Sequence, residues 1–140
     1  MNNNSKIEIL KKEITEKGDE KSYIKFLSLC ENTNSIDLLS YSIIMADKYD
    51  YGAACYSVHR EVIKLSFNGK YNLSEIVNLG IEKEAYCLYY LKKGSELNNV
   101  SCISTLLKYY KIKGLDKNQD YINLKIKYDS IIKTDSALLP

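Results

Sequence analysis

The chain has no tryptophan, one proline, one histidine, one arginine and six glycines among its 140 residues. Each scarcity removes a class of function. With a single histidine there is no H-E-x-x-H helix, and the few glycines form neither G-x-G-x-x-G nor G-x-x-x-x-G-K-S, so metalloprotease and phosphate-loop chemistry drop out. Calcium-loop spacing is missing too. Long hydrophobic runs are missing as well. The longest aliphatic stretch is Ile43-Ile44-Met45-Ala46, where a membrane-spanning helix needs about 20 apolar residues. The N-terminus alternates charge with aliphatics and lacks the apolar region of a secretory signal, so the expected location is the cytoplasm. Charge of one sign is also lacking: 20 Lys+Arg against 18 Asp+Glu leave a net +2, too balanced to announce a nucleic-acid binder.

What remains is 45% hydrophobic and 27% charged, with thirteen tyrosines and two phenylalanines. That apolar content builds one sizeable core and excludes a disordered chain. Cys30, Cys55, Cys87 and Cys102 are scattered, with no C-x-x-C. Three of them sit on apolar helical stripes, so all four are expected as reduced core thiols rather than disulfides or zinc ligands.

The pattern is helical almost throughout. Ser5 with Glu8 reads as a capping box ahead of Ile7, Leu10 and Ile14, and Gly18 stops that helix. Tyr23, Phe26, Leu27 and Cys30 stripe a second, ending in the loop Asn32-Thr33-Asn34. Ser35 caps a third, with Ile36, Leu39, Ile43 and Ala46 on one face. A fourth runs from about Tyr51 to Asn68, striped by Tyr51, Ala54, Cys55, Val58, Val62 and Leu65. Residues 70–80 hold one short turn, begun by Asn72 and ended by Gly80. The fifth, about 82–97, is apolar nearly all round, as a helix between two neighbours is. Asn99 caps the sixth, carrying Cys102, Ile103, Leu106, Leu107 and Tyr110. The seventh follows 116–118 and buries Tyr121, Leu124, Tyr128, Ile131 and Ile132. No stretch alternates with period two. The expected fold is all-α, a single domain over 1–140 built as a stack of about seven antiparallel helices.

A shift of 48 residues aligns two segments without gaps. Ala46 falls on Gly94, Ala54 on Cys102, Cys55 on Ile103, Val58 on Leu106, Arg60 on Lys108 and Val62 on Tyr110. The second segment, Lys93-Gly94-Ser95-Glu96-Leu97-Asn98-Asn99-Val100-Ser101-Cys102 with Leu106, Leu107 and Tyr110, resembles a Sel1-like repeat, a relative of the tetratricopeptide repeats. Ala85 with Tyr89-Tyr90 matches the preceding helix of that unit, and Lys113-Gly114-Leu115-Asp116 resembles its loop. Gly94, Asn98, Cys102 and Leu107 depart from the family's small residues. The likeness covers 83–128, weakly 38–65, and not the N-terminal helices of 1–34. It implies an α-solenoid fragment in which small residues (Ala53-Ala54, Gly94-Ser95, Ser101) let helix pairs stack. It also implies an adaptor surface, with the first helix of each pair lining a concave face.

Catalysis finds little support. His59 lies at the edge of the fourth helix's stripe and reads as a partly exposed histidine with no partner motif. Glu82 and Glu84 with Glu96, or Glu13 with Glu16, read as surface charges beside lysines. Lys108, Lys111, Lys113, Lys117, Lys125 and Lys127, interleaved with Tyr109, Tyr110 and Tyr121, outline a possible nucleic-acid face. A solvated helix face is the preferred reading of that cluster, because specific readers rely on arginine.

The expected function is therefore non-catalytic protein binding, with no cofactor, metal or small-molecule substrate. The expected contact residues are Tyr56, Arg60, Ile63 and Phe67 on the fourth helix, and Ser104, Lys108 and Lys111 on the sixth. A small free-standing module with one interaction to perform fits an immunity protein that occludes a cognate bacterial toxin domain. The alternatives are a scaffold or adaptor, and third a weakly basic nucleic-acid-binding module.

Overall fold

The computed structural model describes residues 3–31 and 36–138. Over these the chain is all-α, with no strand: α1 (Asn3–Lys17), α2 (Glu20–Cys30), α3 (Ile36–Lys48), α4 (Gly52–Ser66), α5 (Ile81–Glu96), α6 (Val100–Ile112) and α7 (Gln119–Leu138). A 3-10 helix, Leu73–Asn78, lies between α4 and α5; the Asn72 side chain caps it by accepting from the Ser74 N–H at 3.0 Å, as expected. At the N-terminus, α1 already begins at Asn3, so Ser5 lies inside its first turn and not at a capping boundary. The expected Asn32–Asn34 loop and the Ser35 cap fall outside the described residues.

One turn is used three times. Gly18 (φ +59°), Asp50 (φ +49°) and Asn98 (φ +62°) each occupy the left-handed region two residues before a helix begins, at α2, α4 and α6. The next residue is extended in every case: Asp19 (φ −68°, ψ 112°), Tyr51 (φ −85°, ψ 107°) and Asn99 (φ −76°, ψ 115°). Glycine or short polar residues tolerate that first conformation, and the extended residue is an N-cap. Asp19 and Asn99 accept backbone N–H bonds from Lys21 and Cys102. The three turns lie 32 and then 48 residues apart. The 48-residue register read from the sequence is therefore present in the backbone, and it has a third member at α1–α2, in the region the resemblance left out. The longer second interval accommodates the 67–80 insertion that carries the 3-10 helix.

These offsets superpose the cores of α2, α4 and α6. Tyr23, Cys55 and Ile103 are equivalent and all fully buried, as are Phe26, Val58 and, at 3% exposure, Leu106. Each helix packs chiefly on its neighbours in sequence, while α1 also meets α3 and α4 also meets α6. Tyrosine hydroxyls tie the layers together: Tyr23 to Ser42 at 2.7 Å, Tyr49 to the Thr15 carbonyl at 2.7 Å, and Tyr90 to Asp47 at 3.0 Å. Much of the tyrosine excess is thus structural, each ring packing against the core while its hydroxyl reaches another helix. Removing the Leu106 side chain down to Ala should cost about 2–5 kcal/mol in urea denaturation, since it fills a well-packed site.

Several stripes sit differently from their expected faces. On α3 the buried residues are Leu38, Ser42, Met45 and Ala46, while Ile36 is 69% exposed. The α5 helix does lie between α4 and α6, yet its Tyr86–Tyr89 side is open, with Tyr89 56% exposed. The sixth helix buries Tyr109, leaving Tyr110 half-buried, and the seventh buries none of its five expected residues fully. Ser101 is exposed; the small residue at the turn is instead Gly52, whose Cβ position lies 3.0 Å from Asn99. All four cysteines are buried and free of disulfides. Burial pushes the thiols of Cys55 up to about 11 and of Cys87 and Cys102 up to about 12.

Candidate binding groove

Equivalent positions on α2, α4 and α6 form a ladder: Ile24, Tyr56 and Ser104 on one rung, Ser28, Arg60 and Lys108 on the next. Between α2 and α4 the ladder borders an open groove of about 390 Å³, lined by Ile24, Ser28, Leu38, Tyr56, Arg60 and Glu61 among others. Ile24 is 54% exposed and forms its outer wall, and Leu38 of α3 contributes to its lining. Glu61 is nearly buried here; desolvation raises its carboxyl above the usual carboxylate range, and Lys64, 3.6 Å away on the same helix, counters part of that.

The α4–α6 side is bridged instead. The 3-10 helix packs against α4, α5 and α6, and Tyr71, just before it, places its ring 5.5 Å from the Arg60 guanidinium. Beneath Tyr71 lies His59, fully buried. His59 holds the carbonyl of Tyr56 through Nδ1 and the Tyr71 hydroxyl through Nε2 at 2.7 Å. A carbonyl can only accept, so Nδ1 carries the proton and Nε2 accepts from Tyr71. Burial lowers the imidazole pKa to about 4, the Tyr56 bond opposing and Arg60 reinforcing that shift. The expected partly exposed histidine is therefore a neutral core residue. It occupies the position held by Leu27 in α2 and Leu107 in α6, which explains why it is inside.

The expected contact residues divide. Tyr56 and Arg60 line the open groove. Ile63 is fully buried and cannot reach a partner, and Phe67 is half-buried against the core. Ser104 is half-buried, while Lys108 and Lys111 are exposed on α6. The missed contributor is α2: Ile24 and Ser28 follow Gly18-Asp19 at the spacing by which Tyr56 and Arg60 follow Asp50-Tyr51. A 32-residue shift would have exposed that signal.

The lysines of α6 and α7 are partly spent on internal contacts. Lys113 pairs with Glu84 at 3.5 Å and Lys125 with Asp129 at 3.0 Å. Lys127 donates to the Ser95 carbonyl at 2.6 Å, near the C-terminus of α5, where a cation is favoured. Among the described residues no helix is long and apolar enough to cross a membrane, and no three His, Cys, Asp or Glu are placed to share a metal ion. Comparison with family models, curated proteins and solved structures finds no match.

Proposed function

We propose that this chain is a non-catalytic protein-interaction module of Sel1-like character that works in the cytoplasm. Its specific use is as an immunity protein, binding a cognate bacterial toxin domain across the ladder face. The observation that carries the binding reading is the open α2–α4 groove, whose walls are equivalent surface positions of repeated helices. Arrays of this kind present such positions side by side as one extended surface. The thrice-used turn supports the repeat assignment. The chemistry of the interior supports binding over catalysis: both nitrogens of His59 are committed within the core, and the thiols sit well above the range of a reactive cysteine. The engaged lysines Lys113, Lys125 and Lys127 favour a protein partner over nucleic acid.

The deciding experiment compares the wild type with Arg60→Glu/Lys108→Glu as baits in a lysate of the host. Both residues are exposed, so the melting temperature should stay the same. Capture should fall by about a hundredfold, as two reversed charges replace attraction with repulsion. A captured protein that arrests growth alone, and is silenced by co-expression of this chain, carries the immunity reading. Several captured proteins without toxicity carry the scaffold reading. Undiminished capture by the double variant removes the ladder face.

A further inference from the structure

We propose that the outer face of the α1–α2 hairpin is a second interaction surface, one that receives a partner protein's helix with an apolar centre and an acidic residue at each end. It lies on the flank of α2 away from α4, with Ser28 as the rim shared with the ladder face, and it does not depend on that face. Here α1 and α2 enclose an open furrow of about 500 Å³, lined by Lys6, Ile9, Leu10, Lys25, Ser28 and Leu29. The three residues from each helix recur at i, i+3 and i+4, a side-chain row into which a third helix packs. Ile9 is 49% exposed and Leu29 42%, so the middle of the furrow offers aliphatic surface to solvent.

The repeat shows what kind of element closes this side of a helix. At the offsets of 32 and 80 residues set by the shared turn, Lys25 corresponds to Ser57 and Thr105, and Leu29 to Glu61 and Tyr109. All four of those are buried. The α4 helix has α2 beside it and α6 has α4. Among the described residues α2 packs chiefly on α1 and α3, and Lys25 and Leu29 stay exposed. A helix laid in the furrow takes the position toward α2 that α2 takes toward α4.

The charge of the lining has one sign. Lys6 and Lys25 are its only charged side chains, both exposed and neither in an ion pair among the described residues. The neighbouring acids are engaged or belong elsewhere: Glu8 pairs with Lys11 at 3.5 Å, Glu13 with Lys17 at 3.3 Å, and Glu31 lines the α2–α4 groove. Toward the Gly18 turn, exposed Glu16 and Glu20 are matched in number by exposed Lys12 and Lys21. Because the hairpin is antiparallel, Lys25 stands toward the turn and Lys6 toward the far end. At 1.5 Å per residue they are about 9 Å apart along the axis, with the aliphatics between them. Two turns of an occupying helix span about 11 Å, so glutamates seven residues apart reach both lysines. Leucines three and four residues after the first glutamate then fall on Ile9, Leu10 and Leu29. The matching segment is Glu-x-x-Leu-Leu-x-x-Glu, which reads the same in both directions, as the furrow does. A single-headed amphiphile would leave one lysine unmatched, and a basic helix would meet like charge at both ends.

The probes are two synthetic peptides of about 18 residues, long enough to hold a helix. One is built around Glu-x-x-Leu-Leu-x-x-Glu, and the other has lysine in place of both glutamates. Titration into the isotope-labelled full chain, followed by NMR at about 0.15 M salt, reads both affinity and location. The glutamate peptide should shift the amides of Ile9, Lys25 and Leu29 and bind at least about tenfold more tightly than the lysine peptide. Lys6→Glu/Lys25→Glu should reverse that preference. Ile9→Ser should weaken binding by about tenfold with an unchanged far-ultraviolet dichroism spectrum, since Ile9 is half exposed. No preference between the peptides, shifts confined to α4–α7, or a preference that survives the double reversal would overturn the proposal. Binding to phosphatidylglycerol vesicles with neither peptide bound would overturn it too, and make the furrow a membrane contact. Arg60→Glu/Lys108→Glu should leave the glutamate peptide's affinity unchanged; a loss there places the peptide on the ladder face and removes the furrow. If that variant loses the native partner while the glutamate peptide fails to bind the wild type, the ladder face stands and the furrow falls. If it captures the partner undiminished while the peptide binds, the furrow stands and the ladder face falls.

Discussion

Gly94→Ala should be among the most damaging single substitutions in this protein. An added Cβ at Gly94 would sit 2.2 Å from the Cys102 sulfur, 2.9 Å from the Cys102 Cβ and 3.0 Å from the Cys55 Cβ. Those are core atoms of α6 and α4, so α5 would have to retreat from both neighbours at once. Overpacking of this severity costs about 3 kcal/mol, near the upper end for a single methyl. The urea midpoint should drop accordingly. Replacing Cys102 by Ala in the same chain removes the closest clash and should restore part of the loss, a coupling visible in a double-mutant cycle. Additive effects of the two changes would mean that α5 does not cross α6 at this point. In the preceding unit Ala46 occupies the equivalent place, fully buried, so there the crossing accommodates a methyl.

The second large effect depends on pH. In the unfolded chain His59 titrates near 6.5, and in the folded protein near 4. Between those values the unfolded state holds a proton that the folded state refuses. The contribution is thus intact above pH 6.5, declines as pH falls toward 4 and is constant below, a total of about 3 kcal/mol. Replacing His59 by Leu alone would strand the Tyr71 hydroxyl, so the informative variant is His59→Leu with Tyr71→Phe. Denaturation midpoints measured between pH 7 and pH 4 should fall more steeply for the wild type than for this pair. The raised carboxyl of Glu61 works in the opposite direction, because its protonation on acidification favours the fold; it is common to both proteins and cancels in the comparison. Parallel curves would mean that His59 is solvated, contrary to its place under Tyr71.

His59 also shows why the sequence could be read only in part. Helix number, the capped 3-10 turn and the 48-residue register were legible because glycine, asparagine and apolar spacing act locally. Tyr51 caps α4 without a side-chain bond to its backbone, so nothing polar marks the turn that it shares with Asp19 and Asn99. On α3, buried Ser42 serves the Tyr23 hydroxyl, which breaks the apolar period and rotates the apparent face. On α7 the stripe is real but meets chiefly α6, so its residues end at best half-covered. His59 and Ile63 lie where no single-helix wheel could place them. The chain that covers His59 arrives from 67–80, and that covering is a tertiary fact. The groove was half visible: Tyr56 and Arg60 followed from the wheel, whereas Ile24 required recognising Gly18-Asp19 as the same turn.

The uneven company kept by the helices has a consequence for how the molecule opens. The α4 helix is flanked by α3, α5, α6 and the 3-10 helix, while α7 packs chiefly on α6, with one hydrogen bond from Lys127 to α5. In an array held by neighbour contacts, the free energy of local opening follows the number of flanks that must part. Backbone amides of α7 should therefore exchange with solvent long before those of α4, and its departure disturbs neither wall of the α2–α4 trough. The protein can lose its last helix to a protease or to thermal fluctuation and still present Ile24, Tyr56 and Arg60 in register.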